Sequence, residues 1–123
     1  MAQHNRDIPG AIEFYNAGIT VEPMGAICLS DLAWLLATTK NEQLRDGKKA
    51  VELATRACEL TEFKAAPYLD TLAGSHAALG NFDEAVKWQR KAIESPDAFA
   101  PSDLEQARER LKLYEDRKPF VEK

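Results

Sequence analysis

The sequence has two cysteines, two histidines, no block of positive charge and no long apolar run. Two thiols, Cys28 and Cys58, cannot build a disulfide framework, and their spacing matches no metal signature. Both lie in helical patterns, where cysteine acts as a small apolar core residue, and that usage favours a reducing, cytoplasmic setting. HExxH, CxxC and a glycine-rich phosphate loop are all missing, so no metal and no cofactor is expected. Ser30-Asp31 and Ser75-His76 supply hydroxyls and one base, but adjacent helical side chains diverge by about 100°. A nucleophile and its base must meet, so the chain is not expected to be an enzyme. Lys plus Arg is 16 and Asp plus Glu is 20, a net charge of −4 without the basic face of a nucleic-acid binder. No apolar run approaches the ~18 residues of a membrane span, and Met1 to Gly10 has no signal-peptide core.

Strand formers are scarce as well. Nine Val plus Ile stand against nineteen Ala, which tilts the chain towards helix. Turn residues cut it into six apolar-periodic segments, 8–21, 25–38, 47–60, 66–79, 82–94 and 102–115. Asp7, Asp46 and Asn81 are placed to cap the helices that follow, and Asn81/Glu84 and Ser102/Glu105 are spaced as capping boxes. Gly80 suits a left-handed helix end. At 123 residues, the length fits one all-helical domain, 1–123.

The segments share a register. Asp7/Ala11, Asp46/Ala50 and Asn81/Ala85 repeat one spacing, and Gly18, Ala57 and Ala92 follow seven residues after each small residue. Small residues on one helix face allow a second helix to approach closely. Asp31-Leu32-Ala33 and Thr71-Leu72-Ala73 recur 40 residues apart, with Leu29 and Leu69 three before each second Leu. On these residues, and on the turn Gly80-Asn81-Phe82-Asp83-Glu84-Ala85, the chain resembles the tetratricopeptide repeat family, in its bacterial-type form. Leu29 and Leu69 stand where the family has an aromatic, Ala33 and Ala73 where it has glycine, and Gln89 replaces another aromatic.

The resemblance implies a right-handed superhelical stack of antiparallel helix pairs, about two and a half repeats plus a C-terminal capping helix. Its divisions are a half repeat at 7–23, repeats at 24–64 and 65–97, and a capping helix and tail at 98–123. Leu104, Ala107, Leu111 and Tyr114 form the apolar stripe of that last helix. It also implies a non-catalytic scaffold that holds a peptide or a partner's helix in a concave groove. The basic residues of the family's carboxylate clamp are missing, since the matching positions hold Ser30, Trp34 and Thr71.

Helical geometry places Ile27, Ser30, Trp34, Ala37 and Thr38 opposite the packed Leu29, Leu32 and Leu36. The 40-residue offset adds Pro67, Asp70, Thr71, Gly74, Ala77 and Ala78. The expected binding groove is therefore Ile27, Ser30, Asp31, Trp34, Thr38, Pro67, Asp70, Thr71 and Gly74. Within it, Gly74 is expected to leave a hollow beside Trp34, edged by Asp31 and Asp70 and suited to an apolar anchor next to a basic residue. The competing reading has Trp34 filling inter-helix space or covered by the tail residue Phe120. His76, at a packing-aromatic position, reads as a buried, hydrogen-bonded imidazole. The long turn Thr38 to Gly47 reads as length variation or as a contact loop.

A different function class stays open. Ile8, Ile12, Tyr15 and Ile19 form an apolar stripe on the first segment, whose partner helix is missing from the chain. Such a stripe implies a homodimer, and a structural self-association module is the alternative to the peptide-binding scaffold.

Overall fold

The computed structural model describes residues 25–95 and 100–121. Among these residues there are five helices and no strand: α1 (Gly25–Thr38), α2 (Gly47–Leu60), α3 (Ala66–Leu79), α4 (Phe82–Ile93) and α5 (Pro101–Glu115). The periodic segments predicted from the sequence become these helices nearly residue for residue. The predicted first helix, with Ile8, Ile12, Tyr15 and Ile19, lies outside the described residues.

Each helix packs on the next along the chain, and α1 also packs on α3. Leu29, Leu32 and Leu36 of α1 meet Leu53, Ala54 and Ala57 of α2 and Leu69 and Leu72 of α3 in one buried cluster. Each buried leucine of this kind contributes about 1.5–3 kcal/mol. A second cluster joins Ala73, Ala77, Ala85 and Tyr114, flanked by Phe82, Val86, Leu113 and Phe120. The repeated small residues Ala50, Ala57, Ala85 and Ala92 are all fully buried, as the shared spacing predicts. Gly47 serves a similar end. A Cβ there would sit 2.8 Å from the backbone nitrogen of Leu79, so only glycine lets α2 start against the end of α3.

Three helix ends use one device. Glu62, Gly80 and Arg117 have φ of 57°, 93° and 60°. After each, the next N–H reaches back five residues: Phe63 to the Cys58 carbonyl, Asn81 to His76 and Lys118 to Leu113. The sequence marks only the glycine. At Phe63, itself at φ 58°, a ring stack on Trp88 with centroids 5.4 Å apart holds the strained turn.

Two predicted caps are corrected. Asp46 accepts the Lys49 N–H at 3.0 Å as expected, but the Asn81 side chain makes no capping bond. The tight turn at Gly80 sets Asn81 at φ −94° and ψ 77°, and its backbone carbonyl still accepts the Ala85 N–H. Ser102 is not a cap either, because α5 starts one residue earlier, with Pro101 in its first turn and Ala100 before it. Proline has no N–H to leave unpaired and its φ is preset for a first turn, so it takes that position ahead of Ser102.

The long turn between α1 and α2 bonds to itself and to the last turn of α1. The Asp46 N–H donates to the Leu36 carbonyl at 2.9 Å, Arg45 Nε donates to the Thr39 carbonyl at 2.8 Å, and Asn41 Oδ1 accepts the Gln43 N–H. Among the described residues no helix is long and apolar enough to cross a membrane.

Cys28 and Cys58 are free and buried. Burial, reinforced by Glu59, pushes the Cys58 thiol up to about 11. A thiol that is buried and protonated is a poor nucleophile. The native chain should therefore react with a thiol reagent only after denaturant opens it, and rapid labelling of two thiols without denaturant would contradict the packing.

Candidate functional site

The α1 and α3 faces predicted to line a groove do stand side by side. Ser30 Oγ donates to Thr71 Oγ1 at 3.0 Å, and Thr71 Oγ1 in turn donates to the Pro67 carbonyl. One turn further on, a Cβ on Gly74 would lie 2.9 Å from the Trp34 ring. Of these two contacts, Trp34 at Gly74 spans 40 residues, and Ser30 at Thr71 spans 41, one residue past that offset.

The expected hollow at Gly74 is not there, because Trp34 fills it with its own ring. The reason is the missing side chain. With no Cβ on α3 at this level, the indole occupies the space a side chain would take.

The offset continues into α5, which the sequence reading missed. Arg110 reaches Asp70 with two bonds, Nη2 to Oδ2 at 2.9 Å and Nε to Oδ1 at 3.3 Å, and Tyr114 Oη lies 3.4 Å from a Cβ on Gly74. The contacts 34 to 74, 70 to 110 and 74 to 114 thus fall on one 40-residue offset across three helices. One more step of 40 residues from Asp70 and Gly74 is the signal that points to them. The Arg110–Asp70 pair is well buried, with side-chain exposures of 11% and 13%.

Arg110 also stacks on rings, 5.3 Å from the Trp34 centroid and 5.5 Å from that of Phe120. Phe120 itself stacks on Trp34 with centroids 5.6 Å apart and planes 28° from parallel. Of the alternatives open for Trp34, the structure therefore has both the inter-helix packing and the cover by Phe120.

The remaining predicted groove residues divide by exposure. Ser30, Thr38, Asp70, Thr71 and Gly74 are buried, and Thr38 Oγ1 donates to the Trp34 carbonyl. Ile27, Asp31 and Pro67 are exposed, Ile27 to 49%. Partial desolvation raises the Asp31 carboxyl above its ordinary range, and the Asp31 charge adds to the burial that raises the Tyr68 hydroxyl. What faces solvent is thus a strip along α1, from Ile27 past Asp31 to the Phe120-covered edge of Trp34, with Pro67 and Tyr68 beside it on α3.

His76 differs from its expected state. It is only half-buried, and its buried Nδ1 has no hydrogen-bond partner among the described residues. Desolvation lowers its pKa; Glu84 opposes that shift and Lys87 adds to it. The sign follows from proton uptake. Between the lowered native pKa and the ordinary value near 6.5, the unfolded chain binds more protons, so His76 makes stability fall as pH drops below about 6.5. A His76→Gln variant should lack that part of the acid dependence in urea titrations run at pH 7.5 and pH 5.5. Equal losses in wild type and variant would contradict it.

Among the described residues no group of His, Cys, Asp and Glu is arranged to hold a metal ion. Compared with protein-family models, with curated proteins and with solved structures, the chain finds no match in any of the three.

Proposed function

We propose that the chain is a short tetratricopeptide-like array, a non-catalytic scaffold that binds an extended protein segment or a partner helix across α1, α3 and α5. The observation that carries this reading is the shared register, with Trp34 at Gly74, Asp70 on Arg110 and Tyr114 at Gly74, each 40 residues apart. Helix pairs repeated at one offset stack into a continuous surface, and the first helix of each pair lines one side of it. That side carries exposed Ile27 and Asp31 next to a tryptophan, an apolar surface with a carboxylate at its edge. Trp, Tyr and Arg are the residue types enriched at binding hot spots. The partner's segment would supply an apolar anchor and a basic residue for Asp31.

A peptide-display selection on the full chain tests this directly. Recovered ligands should lose at least tenfold in affinity to Ile27→Glu, and should be indifferent to Leu60→Glu on α2, whose side chain is also exposed. A selection that returns no ligand, or ligands sensitive to Leu60 and not to Ile27, would overturn the reading.

A further inference from the structure

The segment that follows α5 ends on the proposed binding face. At Arg117 the chain turns through a left-handed residue at φ 60°, and the Lys118 N–H bonds back to the Leu113 carbonyl at 2.8 Å. That turn aims the tail across the array, where Phe120 lands on Trp34 and Arg110. Beyond Lys118, no backbone hydrogen bond joins residues 119–121 to the helices among the described residues. Pro119 has no N–H to offer, Lys118 and Pro119 are exposed, Phe120 and Val121 are half-buried, and the Phe120 ring stacks on the face.

We propose that the tail Lys118–Val121 is an intramolecular stand-in for the partner, and that the partner presents the same chemistry: an extended segment with an aromatic anchor preceded by proline and a basic residue. The inference rests on the reading of this face as an interaction surface. Three features support it. The aromatic seat is built by residues from three helices, with the Trp34 ring laid against Gly74 and the Arg110 guanidinium fixed in place by Asp70. Among the described residues the occupant is held by side-chain packing of Phe120 and not by a backbone ladder, so a second segment with the same ring competes for the same seat. Finally, Asp31 is an exposed acidic residue on α1, three residues before Trp34, and it favours a basic flank like that of Lys118. A tail tethered this close acts at an effective concentration of about millimolar, so it screens out weak segments and yields to those with further contacts, such as one reaching Ile27.

The test uses the full chain and the peptide acetyl-Lys-Pro-Phe-Val-amide, followed by nuclear magnetic resonance at the Gly74 amide and the Trp34 ring. The Phe120→Ala variant should bind this peptide at least tenfold more tightly than wild type, and at least tenfold more tightly than it binds the same peptide with alanine for phenylalanine. In wild type, a large excess of the peptide should release Phe120, read as loss of the ring-current shift that Trp34 imposes on it. This second measurement does not depend on how the variant folds. Equal affinity of wild type and Phe120→Ala, or a Phe120 ring unmoved at saturating peptide, would overturn the proposal. If display-selected ligands still depend on Ile27 in either case, the tail proposal fails and the interaction reading stands. If no ligand depends on Ile27 at all, the interaction reading itself fails.

Discussion

Replacing Arg110 with methionine should destabilise the chain by about 3 kcal/mol, the lower end of what breaking a buried pair costs. Arg110 donates two bonds to Asp70, and the pair is largely shielded from water. Methionine keeps much of the apolar stem but leaves the carboxylate with a lost partner in a dry setting. The loss measures that stranded charge more than the attraction itself. The paired replacement Asp70→Leu with Arg110→Met should therefore recover to within about 1 kcal/mol of wild type, because apolar residues of similar size often replace a buried pair without loss. Urea unfolding of the three proteins gives both numbers. A single variant within about 0.5 kcal/mol of wild type would mean that Asp70 is wetter than its position between α3 and α5 implies.

Truncating Tyr114 should cost more, about 3–5 kcal/mol, as loss of a large buried ring does. Tyr114 is fully buried, and it joins α5 to Ala73, Ala77 and Ala85 of the preceding helix pair. Tyr114→Phe should behave in the opposite way. The hydroxyl is buried, without a hydrogen-bond partner among the described residues, and burial with the nearby Asp70 charge raises its pKa far above the ordinary value. Removing a buried polar group that makes no bond removes a desolvation cost, so the phenylalanine variant should match or exceed wild type. A clear loss for Tyr114→Phe would point to a hydroxyl partner and would contradict the packing of α5 on Gly74.

Both effects concern the helix that the sequence described least fully. The helices themselves were legible because their signals are local. Apolar residues at three- and four-residue spacing place the leucines of α1 and α3 in one cluster, and Asp46 and Gly80 mark ends by their own chemistry. The 40-residue offset was legible between α1 and α3, where Leu32-Ala33 and Leu72-Ala73 repeat as identical residues. It faded at α5 because the third members of the register are Arg110 and Tyr114, which resemble neither Ser30 and Asp70 nor Trp34 and Gly74. They answer those residues instead of copying them: a guanidinium for a carboxylate, a ring for a missing side chain. Such complementarity cannot be found by looking for similarity.

The same distinction accounts for the site. Geometry on one helix put Ile27, Asp31 and Trp34 on a common face, and two of the three are exposed there. What fills the space beside Gly74 depends on the depth between two helices, which spacing along one chain does not measure. Left-handed ends at Glu62 and Arg117 were hidden for another reason. Their conformation is imposed by a bond from the following N–H and by the packing of Phe63 and Phe120, not by glycine.

In the proposed array α1, α3 and α5 share one 40-residue register and so present a single face. Nuclear Overhauser contacts of the Trp34 ring in the full chain test it most directly. Cross-peaks are expected from the indole to the Gly74 α-protons and to the Phe120 ring in the same sample. An indole that contacts Phe120 but not Gly74, or that lies against Ala73 or Ala77 instead, would break the register and contradict the account.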